Sequence, residues 1–149
     1  MTTLRPDIVV TRPESPDVLL VVETKAGPVD VTDAEVQLKK YMVHMSCPVG
    51  MLVTEAQTRF YRNRYTDYEP ENIEMIGECA TVDLLDGHRT LIGREPYLER
   101  LAEEWLESLR VGNGRTWPSS VHEAIESSVL PVVVGGVIRA GGPRWRRTG

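Results

Sequence analysis

Two apolar runs, Ile8–Val10 and Val18–Val22, flank the polar segment Thr-Arg-Pro-Glu-Ser-Pro. Few arrangements satisfy that pattern. Valine and isoleucine favour a pleated, half-buried surface, and two prolines in a short polar linker force a turn. The reading is a β-hairpin, with one strand from Asp7 to Arg12 and the next from Asp17 to Lys25. Asp7 opens the first strand, and Glu23 and Lys25 close the second on an otherwise hydrophobic run. Side chains alternate across a strand, so Glu23 and Lys25 share a face and Thr24 points away. Both charged ends meet at the open end of the hairpin. Two carboxylates and an ammonium are therefore expected to converge there, and carboxylate and carbonyl oxygens suit a hard cation such as Mg²⁺.

The residues that follow extend the pattern. Ala26-Gly27-Pro28 ends the strand, and a helix is expected from Asp33 to Met45, capped by Thr32 or Asp33. Ala34, Leu38, Tyr41, Met42 and Met45 fall on its core side, with Gln37, Tyr41 and His44 near one edge. Pro48 stops it, and Val49–Thr54 reads as a buried strand parallel to the second.

Pro6-Asp7, then Glu23-Thr24-Lys25 after a hairpin, then Gln37 and Tyr41 on the next helix, resembles the PD-(D/E)xK nuclease signature. The helix pair is similar to the Gln-x-x-x-Tyr element of the branch that includes the nuclease domains of type I restriction enzymes. The likeness covers the first third of the chain. It implies an α/β fold, a central mixed β-sheet flanked by helices, with a restriction-endonuclease-like core. It further implies Mg²⁺-dependent hydrolysis of DNA phosphodiesters to 5′-phosphate and 3′-hydroxyl ends, in a restriction, defence or repair setting. Asp7, Glu23 and the carbonyl of Thr24 are the implied metal ligands, and Mn²⁺ suits them too. Such an ion polarises the phosphodiester and lowers the pKa of bound water. Lys25 is expected to orient that water or stabilise the phosphorane-like transition state, and Gln37 to position substrate. Tyr41, Lys39, Lys40, Arg59 and Arg62 are the expected DNA contacts.

The family's core carries a helix and a strand ahead of the Asp strand, and Met1–Arg5 leaves no room for them. A longer product, a later segment or a second subunit is expected to supply them, so a homodimer or larger assembly stays open. The competing reading is a protein of the same fold that binds or scaffolds without catalysis.

At 149 residues, 41% hydrophobic and 26% charged, the chain suits one domain, taken as residues 1–139 with a flexible basic tail at 140–149. The net charge of −5 does not exclude a nucleic-acid partner, because a bound cation offsets an acidic site. Arg59, Arg62 and Arg64 cluster, as do Arg139, Arg144, Arg146 and Arg147. No apolar run is long enough for a bilayer and no signal-like start is present, so a cytoplasmic protein with no membrane partner is expected. Cys47 and Cys79 lack metal-type spacing and read as reduced thiols.

Farther along, Thr58–Tyr65 reads as a strand and Ile73, Met75 and Ile76 as a short edge strand. Asp83–Leu91 reads as a loop holding an exposed His88. Glu95–Leu109 reads as a helix whose Leu98, Leu101, Ala102, Trp105, Leu106 and Leu109 pack inward, with Glu99, Glu103, Glu104 and Glu107 in solvent. A short helix capped by Ser119 or Ser120 runs to Ser127, with His122 unpartnered. Val129–Ile138 reads as a strand or hairpin arm, with Gly135-Gly136 permitting a bulge. No phosphate-binding glycine loop, G-x-S-x-G serine or zinc histidine pair is present.

Overall fold

A computed structural model describes residues 6–27, 30–65, 70–85, 95–112 and 117–140, with the backbone alone for 95–97. Among these residues six strands form one mixed sheet: β1 (Ile8–Thr11), β2 (Val18–Lys25), β3 (Val49–Thr54), β4 (Gln57–Asn63), β5 (Ile73–Ala80) and β6 (Val137–Ala140). Their order is β5-β4-β3-β2-β1-β6. The pairing of β2 with β3 is parallel, Leu20 beside Val49 through Lys25 beside Thr54. All other pairings are antiparallel.

Helix α1 (Val31–His44) makes the crossover between the parallel strands. Its start precedes the expected one because Asp30 is the cap, its side chain accepting from the Asp33 N–H at 3.2 Å. Ala34, Leu38 and Met42 bury against Val21, Leu52 and Tyr61 on one face of the sheet. The other face carries Ile8, Val10, Leu20, Val22, Met51, Val53 and Phe60. It is covered by α2 (Glu95–Val111), α3 (Ser119–Ala124) and α4 (Leu130–Gly135), the last two joined by a π-helical turn at Ile125–Val129.

That covering segment corrects the sequence reading most. Residues 129–135 are helical, and only Val137–Ala140 is strand. Valine's β preference is weak against packing. Val121, Ile125, Val129 and Val133, four residues apart in sequence, are all fully buried, which is a helical stripe. Neither Ser119 nor Ser120 caps α3; the cap position is Pro118, which offers no side-chain hydrogen bond. Glu99 is a second correction: it is 5% exposed rather than solvated. Ala140 is a third, since it pairs with Ile8 inside the sheet instead of starting a tail. His122 faces Glu126, Nε2 to Oε2 3.7 Å. The edge strand β5 is also longer than expected. His88, Arg144, Arg146 and Arg147 lie outside the described residues.

A polar cluster ties α1 to the sheet. Glu35 Oε2 accepts from Tyr61 Oη at 2.6 Å and from Arg59 Nη1 at 3.3 Å, while Arg59 Nε donates to Glu78 at 2.6 Å. Burial, and then the Glu35 bond, push the Tyr61 phenol well above its usual range, so it stays a donor. Tyr61→Phe is expected to lower stability by about 1 kcal/mol, read from the urea midpoint, because the ring stays packed and Glu35 keeps its arginine.

Cys47 and Cys79 are buried free thiols. Burial pushes Cys47 up to about 12 and Cys79 to about 11 from the ordinary thiol value of 9.0. The fold therefore favours the protonated thiol. This contribution is complete below pH 9 and is lost as pH rises through the folded values. Two outcomes are expected: alkylation with iodoacetamide at neutral pH only after unfolding, and a melting temperature that falls above pH 9.

Candidate functional site at the open end of the hairpin

Strand alternation sends Glu23 to the α1 face, beside Leu52, and Thr24 to the opposite face, beside Val53. Lys25 follows Glu23. Its Nζ lies 3.2 Å from Glu23 Oε2, with the lysine side chain 40% exposed and the glutamate side chain 5%. A half-exposed cation thus covers a buried carboxylate. The expectation that these two share a face is met.

Asp7 arrives differently. Continuing the β1–β2 register one step past Ile8 and Val22 would set Asp7 opposite Glu23. The regular ladder instead stops there. The Asp7 N–H donates to the Val22 carbonyl at 3.2 Å. The Asp7 carboxylate turns onto Thr24, Oδ2 accepting from both the Thr24 N–H and Oγ1 at 2.8 Å. The physical reason is a backbone donor at the strand edge that needs an acceptor once the ladder has ended. The three acids and bases do not form one mutual contact. They form two pairs, Asp7 with Thr24 and Glu23 with Lys25, joined by the single peptide between Glu23 and Thr24. Asp7 Oδ1 has no hydrogen-bond partner among the described residues.

Gln37 is half-buried on α1, and Tyr41 lies one turn farther along it, about 6 Å by helical rise. Burial, reinforced by Cys47, raises the Tyr41 phenol above its usual value, so it remains neutral. Of the expected DNA contacts, Lys40 is exposed on α1. Lys39 sits 3.8 Å from Glu35 and over the Tyr61 ring. Arg59 is held by Glu35 and Glu78, and Arg62 by Glu74 at 2.9 Å. Both arginines are thus engaged by carboxylates of the fold.

Among the described residues no group of three or more histidines, cysteines or acids gathers as a metal cage. Mg²⁺ does not demand one. It keeps several waters and is held by one or two carboxylates plus substrate phosphate; the Asp7 and Glu23 oxygens are donors of the type it takes, held here in two separate pairs.

Sequence reasoning missed an open groove of about 500 Å³ beside these residues. It is lined by Pro6, Val9, Thr11, Val18, Tyr41 and Arg139, together with residues of the β1–β2 turn. Comparison of the chain with protein-family models, curated proteins and solved structures finds no match. No helix among the described residues is long and apolar enough to cross a membrane.

Proposed function

We propose that this chain is a Mg²⁺-dependent nuclease that hydrolyses DNA phosphodiesters. The observation that carries the reading is the hairpin end, where Glu23 and Lys25 pair at 3.2 Å one residue from the Asp7–Thr24 contact. Asp7 and Glu23 would hold the ion, with the Thr24 carbonyl as a further oxygen. The ion's part is to neutralise phosphate charge and acidify water. Lys25 supplies a compact cation toward the phosphate as negative charge builds, and its exposed head allows it to leave Glu23 for substrate. Gln37 is the positioning residue on the helix above.

A second feature supports the reading. Among the described residues the chain has the mixed sheet with helices on both faces that the resemblance to PD-(D/E)xK nucleases implies. Lys39, Lys40, Arg59 and Arg62 remain candidate DNA contacts, with Lys40 the most accessible. Mn²⁺ would serve the same oxygens.

The non-catalytic reading, a binding or scaffold protein, is favoured by one observation. Asp7 Oδ2 already accepts two hydrogen bonds from Thr24, as a purely structural aspartate would. Incubating purified protein with DNA, with Mg²⁺ and with chelator, separates the two. Mg²⁺-dependent cleavage that disappears in Lys25→Ala supports the nuclease. Intact DNA and RNA beside a folded protein supports the binder.

A further inference from the structure

The groove along β1 combines apolar walls with a cation. Val9 pairs with Val21 and Thr11 with Val18, residues that pack on the α1 face, the face of Glu23 and Lys25. The groove starts at Pro6, next to Asp7, and runs toward the turn. Pro6, Val9, Val18 and Tyr41 line it, with Thr11 and residues of the turn. Among the described residues no acid lines it and its one cation is Arg139, brought by β6 to lie beside Val9. Arg139 Nε donates to Thr11 Oγ1 at 3.2 Å, which steers the guanidinium along the groove. Among the described residues its terminal nitrogens have no partner.

We infer that this groove binds one nucleotide of a single DNA strand next to the scissile phosphate, its base against Tyr41 and its phosphate on Arg139. This rests on the nuclease reading of the adjoining hairpin end. Three observations favour that occupant. The volume is in the range of small-ligand sites. A neutral aromatic ring with apolar walls and a single guanidinium is the chemistry that holds a base and its phosphate. The spacing also fits, since Val9 stands two residues from Asp7, about 7 Å along the strand, the scale of one nucleotide step. The two terminal nitrogens of Arg139, without a partner among the described residues, suit capture of phosphate oxygens.

The test measures anisotropy of a short labelled oligothymidine with protein carrying Lys25→Ala, so that binding is read without cutting. Arg139→Ala in that background is expected to weaken binding about tenfold and flatten the salt dependence by about 0.7 in log–log slope, one phosphate contact on a single strand. Tyr41→Ala is expected to cost about tenfold and Tyr41→Phe nearly nothing, because stacking needs the ring alone. Arg100→Ala removes an exposed charge from α2, on the opposite face of the sheet, and should leave binding unchanged. Equal losses in Arg139→Ala and Arg100→Ala, or no binding at all, overturn the groove. Displacement by low micromolar thymidine monophosphate assigns it to a free nucleotide and also overturns it. The two readings fail separately. A protein that binds through Arg139 and Tyr41 but never cuts loses only the nuclease reading. A protein that cuts with native Lys25, yet binds with full affinity when Arg139→Ala or Tyr41→Ala is made in the Lys25→Ala background, loses only the groove.

Discussion

Replacing Lys25 by alanine is expected to reduce Mg²⁺-dependent DNA cleavage about a thousandfold, at the upper end for loss of one group that stabilises transition-state charge. The lysine head is half exposed, so the variant should fold, which circular dichroism checks. Its loss removes a cation from the buried Glu23 carboxylate, however, and some stability will go with it. The double variant Glu23→Gln with Lys25→Met removes both charges at similar volume. It should fold as well as the native chain and be equally inactive. Lys25→Arg is expected to recover little activity, because a planar fork does not replace a compact ammonium. Native protein should also lose cleavage in chelator and regain it with Mg²⁺ or Mn²⁺. Cleavage by Lys25→Ala at the native rate would remove the lysine from the chemistry.

Gly136→Val is expected to lower stability by about 3 kcal/mol, through overpacking. Gly136 sits at the corner between α4 and β6. A Cβ there would lie 2.5 Å from Val10 Cγ1, 2.8 Å from the Val132 carbonyl oxygen and 2.9 Å from that of Thr11. Two of those three neighbours are backbone and cannot swing away. The corner also anchors α2, since Arg110 donates to the Gly136 carbonyl. Denaturant unfolding gives the size of the effect, and hydrogen exchange gives its place. The variant should exchange fastest along β1 and β6. In contrast, Gly27, where an added Cβ meets nothing, should accept alanine at a cost set by its positive φ alone.

The parts of the fold that rest on local pattern were legible in the sequence. Val49–Thr54 is a strand with the expected ends, because a continuous apolar run after a helix has few other uses. The β1–β2 hairpin and its turn followed from two prolines between valine runs. Residues 129–135 were misread because β-branched composition outweighed a spacing of four that was present all along, at Val121, Ile125, Val129 and Val133. Glu99 looked exposed because a helix packed against more than one neighbour buries more than its leucine stripe. Alternation alone foretold the Glu23–Lys25 contact. The turn of Asp7 onto Thr24 depended on where a ladder stops, which no residue announces. Arg139 reaches Thr11 across 128 positions of sequence, so the groove exists only after folding.

The pairing of β6 with β1 also bears on how the protein is made. Residues 8–11 leave the ribosome long before residues 137–140, their edge partners. Until the later segment emerges, the valine-rich first strand offers open backbone donors and acceptors to any neighbouring chain. Closing the sheet through so distant a pairing is slow, and nascent copies made at high concentration should need a chaperone until synthesis reaches Ala140.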